Sequence, residues 1–581
     1  MYFLYNFFPC LILNEKKILF ARIGYLIDFF NKINLLKFFL FIFNKNINPF
    51  KSIEFQKFID FNTAKWKKSK ITINNKNGIV LFENFISHPA YSSQSILLTK
   101  YLQLFGNHSA HGLLRRGDIK GKIIFKSFGI DNFHYYSSGG VFHRCKYIIK
   151  SILLLKNIKN IKSLINLRIN KIDIGFLTYD SFMRYTGWHT AQKINFRIIL
   201  TFSEALMAMD FYEKNFNNLN ISHFVQCEKN FVPLGIFFQK FLLNKTQVFS
   251  KYGPNRFTIR NYTNFNQRHM EKRTISKKLF NDVFKNYKKE SIKLIDKEMS
   301  VKASFGHLPN WNPKKFGSNN KKDSMKLLKK ENFYKIFDWD KKKKIATIFL
   351  HHLIDGNYRH GKRKIFKDNY TWAYQTIEAI KKNNKINWII KQHPSEYYYQ
   401  SKFNFSPHIM EIEKKYSHIR LCPRDLNDAT IKKFTDIAIT SHGTSGVEFP
   451  AYGIPAICVE DSFFTDVGCS SQAKDLKHYK QLLSKAHRMT KITKQKIEKA
   501  KVFLFIYEIL LKNKNLIPPH ALNRDVNENN FWKLFPSYIR RFNKKSDPFK
   551  EIFKKQLDLK FRHTINFDLY KVKNKVFNDY K

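Results

Sequence analysis

Short apolar runs alternate along this chain with longer stretches whose apolar residues recur at helical spacing. Residues 78–82 (Gly-Ile-Val-Leu-Phe) predict a buried strand, 83–93 a loop and 96–104 a helix. Residues 122–125 predict the next strand, and 172–180 form a further strand-like run ending at Asp180. A helix at 196–212, a short strand at 223–226, a helix at 233–243 and a strand at 247–249 complete a first series. A second series opens at 345–350 (Ile-Ala-Thr-Ile-Phe-Leu). It continues through a helix at 371–380, a strand at 386–390, a helix at 409–416 and strands at 419–422 and 437–439. A helix from Val447 and a strand at 454–459 follow. Strands alternating with helices predict parallel sheets covered on both faces. Two such series predict an α/β protein of two Rossmann-like lobes, with its ligand in the cleft beyond the carboxyl ends of the strands.

The intervening segments set the domain plan. Residues 1–75 mix aromatic and aliphatic patches with Lys and Asn and predict a helical extension. Residues 76–267 then form an N-terminal lobe for the acceptor, and 268–344 a Lys-rich connector with helical pieces. Residues 345–515 form a C-terminal lobe for the nucleotide sugar, and 516–581 a tail packing back on the lobes. Lys16 and Lys17 interrupt the first apolar stretch, and no small-residue cleavage site follows it, so it does not read as a signal peptide. The run at 35–43, with Lys37 inside it, is too short to span a bilayer. It predicts a buried helix, with a peripheral membrane contact as the alternative.

Composition modifies this picture in two places. The formal net charge is +58, and Lys is abundant together with Asn, Ile, Phe and Tyr. AT-rich coding produces that mixture whatever the function, and an anionic partner is the other source. Nucleic-acid recognition would call for Arg-rich clusters and a binding motif, and neither is visible. A basic nucleic-acid-binding protein is therefore the non-enzyme alternative, and no nucleic acid is expected as partner. Charge of either origin favours anionic surfaces, so the expected location is cytoplasmic, with peripheral contact at the inner face of the membrane. The six cysteines (Cys10, Cys145, Cys227, Cys422, Cys458 and Cys469) show no paired spacing, which argues for a reducing compartment and against a zinc site.

Candidate chemistry gathers at the ends of predicted strands. Thr440-Ser441-His442-Gly443-Thr444-Ser445-Gly446-Val447-Glu448 follows one, with Gly453-Ile454-Pro455 behind it. Small hydroxyl and glycine residues there let backbone N–H groups approach a phosphate, and Glu448 can reach ribose hydroxyls. An ordinary capped turn needs only one such residue. Lys391-Gln392-His393-Pro394 ends another strand, where proline turns the chain outward and sends the imidazole towards the cleft. His351-His352-Leu353-Ile354-Asp355-Gly356 ends a third. Asp355 could act as a base oriented by His351 or His352, or the segment could be a plain turn. Asp180 is the candidate base from the first lobe, and Glu83, His88, Arg184 and Glu228 could face the acceptor. Asp338-Trp339-Asp340 has the form of a metal-holding Asp-x-Asp, but it stands in the connector before a run of lysines and is read as chance. No metal is expected, and no cofactor beyond a nucleotide-sugar co-substrate.

The Lys391–Pro394 and Ser441–Pro455 segments together resemble the capsule and surface polysaccharide biosynthesis proteins of bacteria. Those are GT-B glycosyltransferases related to the Kdo transferases and, more distantly, to bacterial sialyltransferases. The resemblance spans roughly residues 78–260 and 345–515, and leaves the first 75 residues and the tail after about 520 unexplained. It implies that His393, Ser441, Thr444 and Ser445 meet the nucleotide phosphate and that Glu448 meets ribose. The His351–Asp355 pattern, and Ile174–Ser181 with Arg184, also look like that group. It further implies a metal-independent transfer from a nucleotide-sugar donor, a cytidine-linked one by kinship, to a polysaccharide or glycolipid acceptor. Polyol-phosphate transfer of the teichoic-acid type and sugar-nucleotide epimerisation are the alternatives on the same fold. The chain departs from the pattern in one respect: the first lobe has no acidic pair followed by glycine where sialyltransferases place their base.

Overall fold

Two six-stranded sheets organise the chain. The computed structural model describes residues 53–67, 77–85 and 89–511, apart from 117, 138, 252–258, 306–327, 340–342, 394–395, 397–400, 425 and 427. Of the 1–75 extension only Ile53–Lys67 falls within these residues, and it is a helix. The tail at 516–581 lies outside the described residues, as do His88, Asp340 and Pro394.

The first sheet contains β1 (Ile79–Glu83), β2 (Ser109–Arg115), β3 (Asn132–Tyr136), β4 (Ile221–Gln226), β5 (Gln247–Lys251) and β6 (Ile259–Tyr262). Its order is β3-β2-β1-β4-β5-β6, parallel throughout except for the antiparallel β5–β6 pair. The second contains β7 (Ile345–Phe349), β8 (Asn387–Lys391), β9 (Ile419–Leu421), β10 (Ile437–Thr440), β11 (Ala456–Cys458) and β12 (Ser471–Gln472). Its order, β12-β11-β10-β7-β8-β9, is fully parallel. Each sheet winds outward in both directions from its first strand, the doubly wound order of Rossmann-like domains. The expected α/β class with two Rossmann-like lobes is what the chain adopts.

Burial explains why these segments are strands. β7 and β10 are buried along nearly their whole length, so both faces must be apolar and the sequence reads as a continuous run. Where that signal was weaker, sequence reading failed. Residues 122–125 belong to the helix Ile119–Ser127, started by Asp118, whose carboxylate accepts the Gly121 N–H at 2.8 Å. A short apolar run cannot by itself separate strand from buried helix. The true neighbours of β1 are β2 and β4; β2 and β3 carry His, Ser, Asn and Gly where a strand reading looks for aliphatic residues.

The run at 172–180 is likewise a helix, Ile174–Thr186, buried on every side from Ile174 to Met183 and ended by Gly187 at φ +74°. All-round burial erases the one-sided periodicity of a surface helix. This helix joins the lobes. The Phe176 ring stacks on Tyr358 at 5.5 Å, and the Tyr179 hydroxyl donates to Asp368 at 2.7 Å. One apolar cluster runs through both lobes around this contact. The connector contributes helices Lys277–Asn286 and Lys288–Phe305, which pack with the Lys494–Phe505 helix against the C-terminal lobe. Among the described residues, no helix is long and apolar enough to cross a membrane.

Candidate active site

In the second sheet β7 lies between β10 and β8, so the chain turns opposite ways from two adjacent strands. Such a switch point opens a crevice at the strands' carboxyl ends. His351 and His352 follow β7 there, and Ser441, His442 and Gly443 follow β10. The His351 and His442 rings face each other at 4.1 Å and 28°. The His442 N–H donates to His351 Nε2 at 3.2 Å, and the Thr440 hydroxyl meets the same nitrogen at 3.0 Å while accepting the Gly443 N–H at 3.1 Å. A Cβ on Gly443 would stand 2.8 Å from that hydroxyl and 3.2 Å from the His351 ring, so this approach needs glycine. His360 meets His442 edge-on at 5.0 Å and lies parallel to Phe463 at 6.0 Å.

Residues 354–369 carry His360 into this group and hold the charges beside it. Gly356 turns the chain at φ +62°. Arg359 then approaches Asp355 at 3.6 Å. Arg363 is a framing residue. It donates to Ser441 Oγ at 2.9 Å, Asn369 Oδ1 at 2.6 Å and the Phe366 carbonyl at 2.9 Å. Glu460, 3.8 Å from Arg363, accepts the Lys364 N–H at 2.6 Å and the Phe366 N–H at 2.8 Å. From the other lobe, Asp180 accepts the Asn357 N–H at 3.0 Å and the Tyr358 N–H at 3.4 Å.

Burial sets the protonation of this group. It pushes His351 and His442 well below the usual imidazole range, and nearby imidazoles and guanidinium groups add to the effect. His360 is lowered to about 3, by burial first, with Glu271 opposing and Arg273 and Arg359 adding. His393 is lowered to about 4, again by burial, with Asp355 opposing. Arg359 is raised, because Asp355 and Glu228 more than offset its burial. Without a ligand, the crevice therefore sets neutral imidazoles beside fixed guanidinium charges. Such a group accepts an anion and can take up a proton with it.

The remaining sequence candidates occupy distinct places. His352 accepts the Ile354 N–H on Nδ1 at 3.2 Å and turns Nε2 towards Glu396 at 3.6 Å. The His393 ring stands across from it at 6.2 Å. Ser441 is fully buried, and its hydroxyl serves Arg363. In the following turn the His442 and Gly443 N–H groups are already used, while those of Thr444 and Ser445 have no hydrogen-bond partner among the described residues. Lys391 pairs with Asp428 at 2.9 Å, and Glu448, in the first turn of helix Ser445–Ala451, pairs with Lys432 at 3.5 Å.

Asp180 needs a correction. It sits mid-helix and wholly buried rather than after a strand, and burial raises its pKa to about 7. Asp355 is only half-buried and lies at the crevice. In the N-terminal lobe Glu83 ends β1 and accepts the Phe85 and Cys227 N–H groups, each at 2.8 Å, tying β1 to β4; burial raises it to about 7. Glu228 folds back on the Lys229 and Asn230 N–H groups at 2.7 and 3.0 Å, and Arg184 approaches the Phe231 ring at 6.0 Å. Asp338 caps helix Lys330–Phe337 in the left-handed region, away from the crevice. Among the described residues, no three His, Cys, Asp or Glu side chains stand together as a metal site would require.

Sequence reasoning missed Arg359, His360 and Arg363. The signal was Gly356-Asn357-Tyr358-Arg359-His360-Gly361-Lys362-Arg363, two arginines interleaved with two glycines just after a strand, in a chain whose positive charge is mostly lysine.

No family model and no curated protein matches the chain. Among solved structures it is similar to the beta Kdo 2,4 transferase KpsC of Thermosulfurimonas dismutans, with TM-score 0.30 and 11% identity over 48% of this chain and 79% of that one. A glycosyltransferase of Rickettsia africae ESF-5 gives TM-score 0.27 and 10% identity over 81% and 100% of the two chains. The UDP-GlcNAc 2-epimerase of Neisseria meningitidis gives 0.23 and 10% over 74% and 99%. The fold class rests on the two sheet orders rather than on these overlaps.

Proposed function

We propose that the chain is a glycosyltransferase whose C-terminal lobe holds a nucleotide-linked sugar donor and whose N-terminal lobe presents the acceptor. The observation that carries this reading is the meeting of His351, His360 and His442 beside Arg359 at the switch point of β7 and β10. A phosphate there gains a guanidinium charge, imidazole donors once they protonate, and the turn N–H groups of Thr444 and Ser445. The same groups stabilise the charge that grows on the phosphate as the sugar–phosphate bond breaks, which is where electrostatic preorganisation lowers a barrier.

Asp355 is the base of this proposal. It reaches the crevice while Asp180 is closed off, and Arg359 at 3.6 Å orients its carboxylate towards the acceptor side, where it would take the acceptor proton. A capsular or other surface polysaccharide, or a lipid-linked glycan, is the acceptor implied by the sequence resemblance.

The test is incubation of the purified chain with a panel of nucleotide sugars, including a cytidine-linked one, followed by thermal melting and product analysis. One donor should raise the melting temperature, and Arg359→Ala should abolish the rise. Transfer should persist in excess chelator. No stabilisation by any donor would overturn the reading. A product freed as an isomerised nucleotide sugar, or as a polyol-phosphate polymer, would replace it.

A further inference from the structure

The helix Val141–Leu155 turns only Tyr147, Ser151 and Leu155 inward, where it packs on helix Phe196–Phe216. Its other apolar side chains point out. Phe142 is 93% exposed, Val141 67%, Ile149 58% and Leu153 57%, with Ile152 and Leu154 exposed beside them. Phe142, Ile149, Ile152 and Leu153 fall on one outward stripe at helical spacing. A surface helix of a globular protein normally turns such a stripe to the core, and an exposed one marks an interaction site.

Charge indicates what covers it. The sequence has no Asp or Glu between Asp131 and Asp173, and Lys146, Lys150, Lys156, Lys159, Lys162 and Lys171 are all exposed. An apolar stripe flanked by lysines, with no acid on its own helix and with Asp210 of the neighbouring helix paired to Lys214 at 2.8 Å, matches a helix lying in the plane of an anionic bilayer. The apolar side chains enter the acyl boundary while lysine stems reach up to the headgroups. We propose that the Val141–Leu155 helix docks this chain in plane on an anionic phospholipid bilayer. The helix follows β3 through Gly139 and Gly140, and Tyr136 of β3 pairs with Arg115 of β2, so it starts from the carboxyl edge of the sheet on which Glu83 also lies. Docking goes beyond the proposed transfer and stands whether or not the cleft moves a sugar.

The test uses the full chain and vesicles of phosphatidylcholine alone or equimolar with phosphatidylglycerol. The wild-type chain should sediment with the mixed vesicles, with part of the binding surviving salt that screens general charge attraction. Phe142→Glu/Ile149→Glu/Leu153→Glu should weaken that binding at least about tenfold. Ile336→Glu/Met410→Glu/Leu476→Glu makes the same charge change at exposed apolar positions elsewhere and should leave it within about twofold. Circular dichroism checks that both variants fold. Cys145 is the exposed one among the described cysteines. A polarity-sensitive fluorophore placed on it in a Cys10→Ser background should shift to the blue with mixed vesicles, which gives a readout that needs no helix-face variant. Equal losses in the two triple variants would assign binding to overall charge and overturn the proposal. So would an unmoved fluorophore, a Cys145 protected from labelling in the free chain, or a dimer broken by the first triple variant with vesicle binding intact.

Discussion

Donor affinity should fall as pH rises, by an amount set by the imidazoles at the switch point. In the free chain His360 stands at about 3 and His393 at about 4, so both are neutral at neutral pH. A phosphate charge about 4 Å from an imidazole, at the effective dielectric of a partly buried site, favours the protonated ring by about 4 kcal/mol. That is a factor of about a thousand in its protonation equilibrium, enough to carry His393 from about 4 to about 7. The pKa is then higher in the complex than in the free chain, so binding takes up a proton. Affinity rises as pH falls through the bound value, by about tenfold per pH step for each such ring, and levels off below the free value. A phosphodiester donor has no proton of its own to lose in this window. Titration calorimetry near pH 6, in buffers of different ionisation enthalpy, should show an uptake of about one to one and a half protons per donor, about 0.9 from His393 and about 0.5 from His360. His360→Gln and His393→Gln should each reduce it. No proton uptake near pH 6, with affinity flat across the window, would mean that the phosphate does not lie against these rings.

Asp355→Asn should lower kcat by about 10²–10⁴-fold, the usual general-base contribution, with donor affinity little changed; near-normal kcat in steady-state assays would move the role to Glu83 or Glu228. Asp180 should affect stability instead. Its folded pKa of about 7 lies above the unfolded value, so its contribution is full in acid and is lost as pH rises through about 7. Calorimetric melting should therefore fall more steeply from pH 5 to pH 8 in the wild type than in Asp180→Asn, and parallel curves would refute this. Gly446→Ala would set a Cβ 2.4 Å from Cys458 Sγ and 2.6 Å from the Phe464 ring, and should cost about 1–3 kcal/mol in denaturant unfolding. An unchanged midpoint would show that helix Ser445–Ala451 can shift away from β11.

The C-terminal lobe was the more legible half. β7, β8 and β10 are buried on both faces, so each writes its own apolar run, and the residues after them fall at one sheet edge by topology alone. His351, His393 and His442 could thus be placed near a common crevice from the sequence alone. The N-terminal lobe was harder to read because β2 and β3 bury polar pairs. His111 and His134 meet at 3.0 Å and Ser109 joins them at 3.0 Å, so the strand signal is carried by residues that resemble a loop. Helix Ile174–Thr186 failed for the opposite reason, since with every face buried it has no polar side to reveal its period. Arg359 and Arg363 were missed because their roles depend on partners far along the chain, Ser441 and Glu460 for Arg363 and Glu228 for Arg359.

That long-range dependence also explains how one segment serves both lobes. Residues 354–369 are fixed to the C-terminal lobe through Arg363, Ser441 and Glu460, and to the N-terminal lobe through the Asp180 carboxylate and the Tyr179–Asp368 hydrogen bond. Asn357 stands between these anchors. Its N–H is held by Asp180, its amide donates to the Leu353 carbonyl, and its side-chain oxygen accepts the Asn369 N–H. A shift of helix Ile174–Thr186 relative to the second sheet must therefore strain a backbone that continues directly into Tyr358, Arg359 and His360. These hydrogen bonds are buried, so breaking one costs the desolvation of its partner as well as the bond itself. The cations of the crevice are thus positioned by the seam between the lobes as much as by the lobe that carries them, and an anion that pulls on Arg359 pulls on that seam.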